Sequence, residues 1–173
     1  MNLIITCARH LEPETKEEIS KFLEEFGDPE SNITITNMSG ILTAETKLDP
    51  VEVVRKIRQI IDDEPWSVRY SLRIIPIQKL SQTGISEIEQ AVEEFIDKIM
   101  EDETYRISIE KRNSNISSQE LITKIAHKIK NKVSLEHPDK IIQIEILGAK
   151  TGISILKRED ILSVEKTKRS MSD

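Results

Sequence analysis

The stretch with the strongest look of chemistry is "GAKTG", residues 148–152, a lysine between two glycines and flanked by the apolar runs "KIIQIEIL" and "ISIL". A phosphate-binding loop of the nucleotide-hydrolase type needs a longer glycine spacing, a lysine after the second glycine and a helix to follow, so that backbone N–H groups converge on the phosphates. Here the lysine precedes Gly152 and a second apolar run follows, so the stretch reads as a β-hairpin tip with Lys150 exposed. Cys7 and His10 in "CARH" offer two metal-ligand types, but a structural zinc takes about four, and no second pair stands elsewhere. Cys7 reads as a small core residue and His127 and His137 as surface residues. The carboxylates of "EPETKEEISKFLEE" and "IDDEP" fall on helix faces and ends where solvation accounts for them. No catalytic constellation, metal or cofactor is expected.

What remains are cations. Arg106, Lys111, Arg112, Lys124, Lys128, Lys150, Lys166, Lys168 and Arg169 come from a strand, a helix face, a hairpin tip and the C-terminal segment, and together they could neutralise a phosphate backbone. The chain of 173 residues has a net charge of −6, which argues at first against a polyanion partner. Residues 1–103 carry 11 basic and 22 acidic side chains, whereas residues 104–173 carry 14 and 9, so an acidic front is joined to a basic back. Aromatic residues are 3% of the chain, too few for recognition dominated by base stacking.

The elements that must position these residues follow from periodicity. "NLIITCA" is a buried strand. "EPETKEEISKFLEEFG" is a helix stopped by Gly27, and "NITITNMSGILTAET" is two strands around Ser39 and Gly40. "DPVEVVRKIRQIIDDEPW" is a helix with Asp49 as N-cap and Pro50 at its first position. "SVRYSLRIIPIQKL" closes the set, giving a ferredoxin-like βαββαβ domain over residues 1–80, with "SQTG" as the linker. In the second domain, residues 81–173, "SEIEQAVEEFIDKIM" is a helix and "TYRISIEKR" an alternating strand. "SSQELITKIAHKIKNKV" is a helix opened by the capping box Ser117 to Glu120, burying residues as far as Val133. The hairpin and "DILSVEKTK" supply three closing strands. The class is α/β (α+β). One cysteine, no basic leader and no apolar run of membrane-spanning length predict a soluble cytoplasmic protein.

"TYRISIEKRNSNISSQELITKIAHKIK" followed by "VSLEHPDKIIQIEILGAKTGISIL" resembles a THUMP domain, the RNA-binding module of several tRNA-modifying proteins. The likeness rests on the strand ending in Lys111-Arg112, the capped helix, Pro138-Asp139 and the hairpin, and covers residues 85–168. It implies an RNA-binding rather than DNA-binding protein, in which Lys111 and Arg112 are the foremost contacts. No further catalytic domain fits in 173 residues. The resemblance therefore implies the stand-alone type, an adaptor without activity of its own that holds the acceptor stem and 3′ CCA end of tRNA for a separate RNA acetyltransferase. The other readings are a metabolite-binding regulatory module, a protein adaptor using the acidic half, and an enzyme with an unrecognised site.

Overall fold

The computed structural model describes residues 1–172. They form two compact units, one from residues 1–77 with the segment from Glu159 onward, the other from residues 78–158. The first unit runs β1 (Leu3–Cys7), α1 (Glu12–Glu25), β2 (Asn32–Ile35), β3 (Ile41–Glu45), α2 (Pro50–Asp63) and β4 (Ser71–Pro76). Its antiparallel sheet has the order β2-β3-β1-β4, the ferredoxin-like arrangement. Helix α2 begins where Asp49 accepts hydrogen bonds from the N–H groups of Val51 (2.9 Å) and Glu52 (3.4 Å). Leu3, Ile5, Ile19, Leu23, Leu42, Val54, Ile57 and Ile74 form its core.

The unit then takes back the end of the chain. Leu162–Ser163 (β9) pairs with Arg73 and Ile74 of β4, and Val164–Ser172 is a helix, α5, not the strand expected of "DILSVEKTK". Arg58 of α2 fastens this return by donating to the carbonyls of Glu159 (2.8 Å) and Ile161 (3.2 Å) and to the Thr167 hydroxyl (3.1 Å). Residues from 159 onward, which periodicity assigns to the second domain, thus pack with the first unit.

The second unit comprises β5 (Lys79–Gln82), α3 (Ile85–Glu93), β6 (Tyr105–Arg112), α4 (Ser118–Ala126), β7 (Lys140–Leu147) and β8 (Lys150–Leu156). Its sheet has the order β5-β8-β7-β6, with β6 and β7 parallel and the remaining pairs antiparallel. Ile88, Val92, Tyr105, Leu121, Ile125, Ile142, Ile144 and Ile153 make its core. "KLSQ", expected to end the preceding strand and open a linker, instead forms the edge strand β5. Pro76, which has no N–H to donate, marks where β4 stops. Ser117 caps α4 as expected, accepting from the Glu120 N–H at 3.2 Å, but the helix ends at Ala126 and Val133 is exposed.

The division by packing changes the charge picture. Residues 78–158 hold 13 basic and 13 acidic side chains, because α3 and the turn after it bring their carboxylates into the unit. The basic surplus read along the chain is therefore no property of the second unit, and any attraction for a polyanion depends on where individual cations stand. Among the described residues, no helix is long and apolar enough to cross a membrane.

Candidate nucleic-acid interface

Strand register decides which cations meet. Arg112 of β6 is paired with Leu147 of β7, Leu147 with Lys150 of β8, and Lys150 with Gln82 of β5. Paired residues share a face of the sheet and neighbouring strands lie about 4.8 Å apart, so the backbones of Arg112 and Lys150 are about 10 Å apart on one face. Lys111 points to the opposite face at the same end, where its Nζ donates to the Ile116 carbonyl at 2.9 Å. The end is tied together by the Gly148 N–H on the Arg112 carbonyl (2.8 Å) and the Thr83 N–H on the Ala149 carbonyl (2.9 Å). Gly148 supplies the positive φ of 60° that the turn requires.

Because β5 and β6 both finish here, α3 and α4 both start here, and helix N-termini favour negative charge. Lys111, Arg112 and Lys150 thus gather with two helix starts at one end of the sheet. Polyanion binding is the chemistry such an arrangement supports.

Arg112 differs from its neighbours. Its Nη1 lies 2.9 Å from Oε2 of Glu145, a fully buried carboxylate, and the other oxygen of Glu145 accepts from Nε2 of buried Gln143 at 2.9 Å. Neither residue is among those singled out from sequence, although two polar residues at alternate positions within the apolar run "IIQIEIL" are the signal of an internally satisfied pair.

The remaining candidates are dispersed. Arg106 stands toward the other end of β6, its Nη1 donating to the Leu135 carbonyl at 3.1 Å while its Nε is buried without a partner. Lys124 is exposed in the last turn of α4. Lys128, just past that helix, is held by Glu93 (2.7 Å) and Glu89 (3.1 Å), whose carboxylates raise its pKa. Lys166, Lys168 and Arg169 lie on α5 in the first unit, where Lys168 donates to the Val68 carbonyl at 2.6 Å and Arg169 is 3.5 Å from Glu165. Cys7 is buried, with its thiol pKa raised by that burial, and among the described residues no three His, Cys, Asp or Glu side chains are grouped to hold a metal ion.

The THUMP domain family model matches residues 82–156. A protein of Methanocaldococcus jannaschii, MJ0421, described only as uncharacterized, is 29% identical over 115 residues, covering 64% of this chain and 32% of that protein. Among solved structures, PH1313 from Pyrococcus horikoshii superposes with a TM-score of 0.63 at 16% identity, covering 91% of this chain and 55% of the other. TrmN from Thermus thermophilus superposes at 0.60 and 11%, covering 90% and 45%. A 4-thiouridine synthetase solved in complex with RNA and ATP superposes at 0.51 and 13%, covering 94% and 42%. At these identities the structures share the fold. The chain spans about a third of the curated relative's length and about half that of the solved chains. Residues 82–156, nearly the whole of the second unit, carry the match to the THUMP domain family.

Proposed function

We propose that this chain is an RNA-binding module acting in tRNA modification, and that RNA meets the hairpin end of the second unit through Lys111, Arg112 and Lys150. The observation that carries this reading is the in-register row from Arg112 through Leu147 to Lys150, at the end where two helices begin. The THUMP match supports it, as does the fold shared with a synthetase whose structure contains RNA. The mechanism is phosphate neutralisation with release of counterions, combined with recognition of RNA shape, since A-form RNA hides its base edges in a deep groove.

In its finer form, the chain is a non-catalytic cytoplasmic adaptor. It presents the acceptor stem and 3′ CCA end of tRNA to a separate acetyltransferase that modifies cytidine. Arg106 and Lys124 then belong to the periphery of the contact, Lys128 is occupied by Glu89 and Glu93, and Lys166, Lys168 and Arg169 belong to a different unit. The test is tRNA binding by the purified chain across a salt series, followed by an acetylation assay with acetyl-CoA and ATP, with and without the acetyltransferase. Salt-dependent binding and stimulation of the enzyme are expected. No binding, or acetylcytidine formed by the chain alone, overturns the reading.

A second reading, a protein adaptor, is favoured by a groove of about 570 Å³ on the first unit, lined mainly by the acidic side chains of Glu14, Glu17, Glu18 and Glu24, with Lys21 and Tyr70. It predicts that a protein partner stays bound when the cations of the second unit are neutralised.

A further inference from the structure

We infer that Arg112 acts on RNA as an oriented donor fork set by Glu145, not as a general counterion, and that Glu145 is a positioning residue of the interface. This rests on the RNA-binding reading above. Three observations support it. The Arg112 side chain is 22% exposed and Glu145 is 0% exposed, so the pair bridges from the interior to the surface. Only Nη1 of the guanidinium has a protein partner among the described residues, which leaves Nε and Nη2 to donate outward. The carboxylate is itself held, because Gln143 Nε2 donates to its second oxygen from a position 1% exposed.

A guanidinium is planar and its N–H groups diverge at fixed angles, so anchoring one of them determines where the others point. A group anchored in this way loses little rotamer freedom on binding. Its partner must supply two acceptors in one plane, as the non-bridging oxygens of a phosphate do. Lys111 has no carboxylate partner among the described residues, and its ammonium, which donates to the Ile116 carbonyl, is a point charge with rotatable donors and no planar fork, so it supplies charge with little direction. Charge and direction are thereby divided between two adjacent residues.

Two substitutions separate these contributions, with tRNA affinity measured across a salt series and melting temperature as the check on folding. Arg112→Lys keeps the charge and loses the fork. Affinity is expected to fall roughly tenfold at every salt concentration, with the log-log slope against salt unchanged within about half a unit. Glu145→Gln keeps an acceptor and removes a negative charge. By charge alone it would tighten binding, whereas loss of positioning weakens it, and weakening is expected. If Glu145→Gln melts at a much lower temperature, the decision rests on Arg112→Lys, which leaves the buried carboxylate with a cationic partner. Wild-type affinity in Arg112→Lys, or tighter binding by a folded Glu145→Gln, overturns the inference. Failure of the wild-type chain to bind tRNA at all overturns the reading beneath it.

Discussion

Arg112 and Lys150, 38 residues apart in the chain, stand in one row across the second sheet, each in register with Leu147. The row places two cations on one face at the end of the sheet where α3 and α4 begin, and Lys111 stands on the opposite face, the one those helices cover.

Removing Lys111 and Lys150, neither of which has a carboxylate partner among the described residues, should lower the electrostatic part of RNA binding. With Lys111→Ala and Lys150→Ala combined, the slope of log affinity against log salt is expected to become shallower by about one to two units, since each phosphate contact accounts for roughly 0.7 to 0.9. The measurement is a salt titration of tRNA binding. An unchanged slope places the RNA elsewhere.

Lys128 is the contrasting case. Its ammonium is already shared by Glu93 and Glu89, so a phosphate would have to displace two carboxylates. Lys128→Ala should leave the salt slope within about half a unit of wild type. A loss equal to that of the Lys111 and Lys150 pair would extend the footprint to the far end of α4.

Arg58 links α2 to the returning C-terminal segment with bonds to Glu159, Ile161 and Thr167. Arg58→Ala leaves those acceptors without their donor and is expected to cost about 1–3 kcal/mol in urea unfolding. Amide exchange should quicken over residues 162–170 first. Arg58→Lys should restore only part of the loss, because an ammonium cannot reproduce the spread of a guanidinium. Uniform exchange in the alanine variant would show that the segment is held by its apolar contacts alone.

At Gly40 the backbone has φ +74°, and a Cβ there would lie 2.5 Å from the Cys7 carbonyl oxygen, which cannot move without disturbing β1. Gly40→Ala is expected to destabilise the first unit by about 1–3 kcal/mol through strain and steric conflict together. The check is thermal unfolding monitored at Trp66. A neutral substitution would mean that the β2–β3 connection rearranges at little cost.

Asp28 gives the protein an acid-labile contact. The Thr46 hydroxyl (2.6 Å) and then the Lys47 (3.0 Å) and Glu30 (3.2 Å) N–H groups donate to its carboxylate and hold its pKa below the ordinary aspartate value. A lowered folded-state pKa stabilises wherever the unfolded carboxylate is also ionised, above a pH of about 3.9, and that contribution disappears as pH falls through the folded value. Asp28→Asn should therefore lower the melting temperature at neutral pH and flatten the decline that sets in as pH falls below about 4. The same acid decline in variant and wild type would assign it to other carboxylates.

Local pattern was enough for much of the fold. The apolar run of β1, the Asp49-Pro50 start of α2, the alternation in "TYRISIEKR" and the Ser117 cap of α4 are each written within a few residues, because caps and amphipathic periods arise from contacts one turn or one strand long. The exclusion of a phosphate loop at "GAKTG" was equally local, since it needed only the order of glycine and lysine and the strand that follows.

Tertiary structure alone decided which strand joins which sheet. "KLSQ" continues the hydrophobic pattern of β4, yet pairs with β8, and "ILSVEKTK" crosses back to β4 before turning helical. Strand preference records only that one side of a segment can be buried. The partner is chosen by pairing and packing energies between residues far apart in the chain, which no short window contains. The same holds for the candidate interface. Lys111, Arg112 and Lys150 were visible as residues, but their meeting at one end, the commitment of Arg112 to Glu145, and the equal numbers of opposite charges in residues 78–158 depend on strand register and on where the chain returns. Register is a long-range property because side chains alternate faces with a period of two, so a shift of one residue would have put Arg112 on the other side of the sheet.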